Sequence, residues 1–183
     1  MGNVYVERLS ACHGIVRCAL FEEDIGVEYG DVVLFDGAPV GRQGDGSPIY
    51  PHLATLQRSG YRTYWFGGTQ PCAGAVSALS SALPGDAVVY VLTEQMVFLC
   101  AECARGRGKG SKHAHTHEEA EHRRVRGKIC ASPEVDPRGL LDYLDRAMAA
   151  SPGTRVLSPS LVEEAGFNDR AVAEDAELEK LFE

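Results

Sequence analysis

The chain has 183 residues, 44% of them hydrophobic, and a net charge of −8 at neutral pH. This is an ordinary globular composition at a length that supports a proper core, which argues against a disordered chain. No apolar run approaches the ~20 residues that cross a bilayer, and the acidic balance argues against a general nucleic-acid coat protein.

The opening MGNVYVERLSACHG lacks the basic and then apolar stretches of a signal peptide. Val6 stands where a myristoylation motif needs Ser or Thr. The expectation is a single cytoplasmic α+β domain over residues 1–183, with no membrane partner and with a Cys/His-rich insertion at about 100–124. In a reducing compartment the six cysteines serve as packing thiols, ligands or nucleophiles in preference to disulfides.

The N-terminal third reads as antiparallel β-structure: NVYVERL, GIVRCALF and DVVLFDG are rich in β-branched and aromatic residues. Asp36-Gly37 is a hairpin signal, and GRQGDGSP (41–48) reads as a loop without the lysine of a phosphate-binding loop. Cys12 and Cys18 in this region read as core thiols. Leu53 and Leu56 in PIYPHLATLQRSG predict a short helix closed by Gly60. YRTYWFGG is a strand. Thr69 then predicts the cap of a helix with Pro71 in its first turn and AGAVSALSSAL as its body, and DAVVYVL is a buried strand. Residues 61–92 therefore predict a βαβ unit in a mixed sheet. Thr93-Glu94 leads into a strand, QMVFLC, that ends at Cys100.

VRGKICA reads as another strand. Pro137 opens a helix, PRGLLDYLDRAMAAS, with Leu140, Leu141, Leu144, Ala147 and Met148 at helical spacing. TRVL is a short strand, and a helix starts near Ser158-Pro159 with Ser160 and Glu163 spaced as a capping box. The tail DRAVAEDAELEKLFE is an acidic amphipathic helix.

Chemistry concentrates in CAECARGRGKGSKHAHTHEEAEH, residues 100–122. Two thiolates separated by two residues at a strand end converge on one zinc ion, which favours four N or S ligands in a tetrahedron. The spacing Cys100-x2-Cys103-x13-His117-x4-His122 fits a Cys2His2 zinc set. His113 with His117 is an alternative pair, and Cys130 is an alternative fourth ligand. A DNA-reading zinc finger is excluded, because the intervening ARGRGKGSKHAHT has no large apolar residue to form the finger's small core. Such a knuckle must be clipped onto a larger fold. The absence of HExxH and of a deaminase motif favours a structural over a catalytic ion.

Cys72 is the rival site. A thiol in the first turn of a helix is stabilised as thiolate; Gln70 and the Gly67-Gly68 backbone could donate to an oxyanion, and a histidine such as His13 or His52 could act as base. The opposing reading is a small residue that packs a crossover helix.

From Ala104 to Lys128 eight basic residues stand against Glu118, Glu119 and Glu121, a local net of +5 that leaves −13 for the rest. Arg105, Arg107, Lys109, Lys112, Arg123 and Arg124 are therefore candidates for anion or nucleic-acid contact. The reading that follows is a zinc-binding accessory or protein-interaction protein of inhibitor or immunity type, in preference to an enzyme. A cysteine- or metal-dependent hydrolase and a nucleic-acid-binding regulator are the alternatives.

Overall fold

The computed structural model describes residues 4–19, 26–44, 46–84, 86–92 and 124–183. The fold is α+β, with antiparallel strands first and helices concentrated towards the C-terminus. The chain divides into two compact units, Met1–Thr63 with Cys130–Glu134, and Tyr64–Ile129 with Val135–Glu183.

The first unit is built on β1 (Val6–Arg8), β2 (His13–Val16), β3 (Val32–Phe35) and β6 (His52–Gln57), in the order β1-β2-β3-β6 with every pairing antiparallel. β2 and β3 alternate half-buried and buried positions, the period-2 signature of a sheet with one face on a core. Val16, Val27, Val33 and Phe35 form that core, with Val4, Val6, Cys18 and Tyr50 against it. Gly14 permits β1 to pass: a Cβ there would lie 2.2 Å from the Val6 side chain and 2.7 Å from the Glu7 carbonyl. A small ladder of β4 (Gly41–Arg42) and β5 (Pro48–Ile49) brackets the glycine-rich loop.

Two predicted features of this unit are overturned. Residues 48–60 hold no helix among those described; His52–Gln57 is an edge strand paired with β3. The helical spacing of Leu53 and Leu56 has a β explanation. Register passes from Val32↔Gln57 to Val33↔Thr55, and from Leu34↔Ala54 to Phe35↔His52. Leu56 and Leu53 are the extra residues at two β-bulges, and both are exposed. Likewise Asp36-Gly37 makes no hairpin, because β3 pairs with β2 and β6. The Asp36 carboxylate instead accepts from the Ala38 N–H at 3.0 Å.

The second unit carries a sheet ordered β10-β7-β9-β8, from β7 (Arg62–Thr69), β8 (Ala87–Val91), β9 (Arg124–Ala131) and β10 (Arg155–Leu157). β7 and β8 enclose a helical crossover, as the strand–helix–strand reading requires, with β9 between them in the sheet. That crossover is short: α1 (Ala75–Ala78) and a 3-10 turn over Leu79–Ala82. Thr69 does not cap it, because Thr69 belongs to β7 and the helix begins after Gly74 at φ 83°. Gly127 lets three strands close up, since a Cβ there would lie 2.1 Å from the Tyr90 carbonyl and 2.4 Å from the Phe66 ring.

The C-terminal elements are α2 (Pro137–Ala150), α3 (Pro159–Glu164) and α4 (Asn168–Phe182). α2 starts as the sequence dictates, with Pro137 in its first turn and the Asp136 carboxylate accepting from the Gly139 N–H at 2.9 Å. Leu140, Leu141 and Leu144 are its buried face. The predicted capping box on α3 does not form. Ser158 holds the cap position, and its hydroxyl donates to the Trp65 carbonyl at 2.7 Å.

Candidate functional site

Cys100, Cys103, His113, His117 and His122 lie outside the described residues, as do Arg105, Arg107, Lys109, Lys112 and Arg123. Their flanks are described: β8 and β9, which bracket this stretch in sequence, are neighbours in one sheet. Among the described residues no group of three His, Cys, Asp or Glu side chains is placed to hold a metal ion. Cys130 is fully buried beside Ile129 and Ala131 in β9, the setting of a packing thiol.

Cys18 is a packing thiol too. Its sulfur accepts from the Tyr5 N–H at 3.1 Å, and burial pushes its pKa above the ordinary thiol value. Cys72 is exposed, in the turn that precedes α1. Four-residue α1 supplies little dipole, because the partial charge at a terminus sums over aligned peptides. The Gln70 amide oxygen accepts from the Val76 N–H at 3.1 Å, so this side chain caps the helix. Gly67 and Gly68 lie in a strand flanked on both sides, which commits their backbone groups to the sheet. The His13 imidazole bonds the Ser10 hydroxyl at 2.9 Å, and that of His52 lies 3.5 Å from the Thr55 hydroxyl.

Two buried carboxylates escaped sequence reading. Asp31 is 1% exposed. Burial alone raises its pKa, but the N–H groups of Ser59 (2.8 Å) and Glu28 (3.0 Å) and the Arg58 guanidinium (2.8 Å) outweigh burial and hold the carboxyl below its ordinary value. Glu174 is 6% exposed and accepts from the Ser158 N–H at 2.8 Å and from Arg170 at 2.7 Å. Arg170 also grips Asp145 through two bonds of 2.7 and 2.8 Å, which raises its pKa further above the ordinary arginine value. α2, α4 and the N-cap of α3 are tied together by this chain of bonds.

An open cleft of about 280 Å³ adjoins it, lined by Met148, Arg155, Val156, Leu157, Arg170, Ala173, Glu174 and Glu177. Both arginines are satisfied there, Arg155 by Glu177 at 2.6 Å. The edge of β10 is also closed, because the Val156 N–H meets the Met148 sulfur at 3.0 Å and the Ser158 N–H meets Glu174. The cleft therefore reads as the seam of a helix–strand joint, with its polar groups already committed.

A different group is partly open to solvent, with Arg124 and Arg126 exposed and Lys128 buried, at 8% exposure. Arg124, Arg126 and Lys128 occupy alternate positions of β9 and share one face of the sheet. Lys128 Nζ sits 4.3 Å from the centre of the Trp65 ring, and the Arg126 guanidinium 4.0 Å from that of Phe182. Phe182 packs on Gly67, where a Cβ would come within 2.7 Å of its ring. Trp65 and both arginines are exposed. The sequence signal for this face was the alternation of cations in RVRGK, which a count of charges over 105–128 conceals.

Among the described residues no helix is long and apolar enough to cross a membrane. No family model matches the chain, and no curated protein or solved structure matches it.

Proposed function

We propose that this chain is a cytoplasmic zinc-binding protein that works by engaging another protein, in the manner of an inhibitor or immunity protein. Cys100 and Cys103 supply two ligands, and two of His113, His117 and His122 complete a closed, structural tetrahedron. The observation that carries this reading is the spacing Cys100-x2-Cys103-x13-His117-x4-His122, which brings four N/S donors within reach of one ion. The placement of β8 and β9 side by side supports it, because both ends of the ligand-bearing stretch are then anchored in one sheet. A knuckle without a core of its own requires such an anchor. The contrast between the +5 stretch and the acidic remainder provides the partner's electrostatic guide.

Metal analysis of the purified chain tests the reading. One zinc per chain is expected, with loss of the ion in the Cys100→Ser/Cys103→Ser double variant. Equal zinc content in the double variant overturns it.

A further inference from the structure

We propose that the sheet face carrying Trp65, Arg124 and Arg126 binds single-stranded nucleic acid, with a base stacked on Trp65 and phosphates held by the two arginines. Four observations converge. Arg124, Arg126 and Lys128 project from one side of β9 at intervals of about 6.6 Å, set by the strand rise. The two arginines are spaced to suit a repeating phosphate backbone, whereas Lys128 is only 8% exposed and supports the Trp65 ring. Arg124 and Arg126 are exposed, and neither forms an ion pair among the described residues. The Trp65 residue is 41% exposed beside this row, and Lys128 Nζ lies against its ring at 4.3 Å. Phe182 braces Arg126, so the guanidinium is held near the sheet.

The flat, exposed indole decides between nucleic acid and an acidic protein segment. Cations alone attract either partner, but a π-face flanked by cations is the recurring device for sequence-tolerant base stacking. The net charge of −8 opposes any polyanion at long range, so the interaction is short-ranged and strongest at low salt.

Trp65 is the only tryptophan in the chain, so its fluorescence reports on this face alone. Short oligo(dT) and oligo(U) strands are titrated at low ionic strength, with poly-glutamate as the acidic-chain comparison. Saturable quenching by at least one oligonucleotide is expected, and the two strands distinguish DNA from RNA preference. The logarithm of affinity should fall with the logarithm of salt at a slope of about −1.4, ~0.7 for each of two phosphates. Arg124→Gln and Arg126→Gln alter exposed side chains, so they keep the fold; each should reduce that slope by about 0.7. Trp65→Leu, followed by anisotropy of a labelled strand, should weaken binding by roughly tenfold or more. The proposal is overturned by an absence of quenching at low salt, by quenching that both arginine variants leave unchanged, or by poly-glutamate quenching as strongly as the oligonucleotides.

Discussion

Asp31 shows how one residue organises a loop. Its carboxylate takes two backbone N–H groups, from Glu28 and Ser59, together with Arg58, and so joins the approach to β3 to the segment after β6. Arg58 is 61% exposed in its side chain, and an ion pair so open to water contributes little. The two part-buried backbone N–H groups matter more, because truncation leaves them without this acceptor. Asp31→Ala should therefore destabilise the protein by about 3 kcal/mol in denaturant unfolding. The pH dependence has a definite sign. The folded carboxyl titrates below the ordinary ~3.9, so its stabilisation is complete above that value and is lost as pH falls through the lower folded pKa. Wild type should lose stability across that acid window, and Asp31→Ala should show a shallower loss in the same denaturant series. An identical acid profile in the two proteins would sink this account.

Elements were legible where periodicity and caps agree. α2 follows from Asp136, Pro137 and the leucine stripe, and α4 from its amphipathic spacing. β2, β3, β7 and β9 follow from their β-branched and aromatic runs. The helix predicted over part of 48–60 fails because bulges imitate helical spacing, and the helix after Thr69 starts late, after left-handed Gly74, and gives way to a 3-10 turn at Leu79. Of the metal site the sequence reveals ligand types and spacing. It conceals the Trp65–Lys128 contact, because partners 63 positions apart meet only through strand pairing. The two glycines of β7 look alike in sequence but differ in what surrounds them. A Cβ on Gly67 would meet the ends of the Leu178 and Phe182 side chains, which can move. A Cβ on Gly68 would lie 1.9 Å from the Arg155 carbonyl, which is fixed backbone of β10. Gly68→Ala should cost about 3 kcal/mol and Gly67→Ala nearer 1 kcal/mol, because overpacking is costly where nothing can yield. Thermal unfolding of the two variants checks the ranking, and a larger loss for Gly67→Ala would refute it.

On the scale of the whole molecule, Val16, Val33 and Phe35 are buried in one hydrophobic core, and Val125, Ile129, Leu140, Leu144 and Leu161 are buried in elements that include no residue of the 100–122 stretch. A zinc ion bound by Cys100, Cys103 and histidines would thus be attached to a core that has its own hydrophobic interior. Chelation should leave the far-UV circular dichroism near its starting value, in contrast to small zinc domains that unfold without metal. Collapse of that signal on adding a chelator would show the ion to be integral to the fold. The charge division works at the same scale, because a basic stretch of +5 on a remainder of −13 orients the molecule in any charged encounter. One further consequence belongs to β6. Each of its bulges holds one residue more than the opposing strand requires, and those residues, Leu53 and Leu56, have exposed side chains. Loss of either codon would leave every position of β3 with its opposite number. This strand is therefore a place where the gene can shorten by a single residue without breaking the sheet.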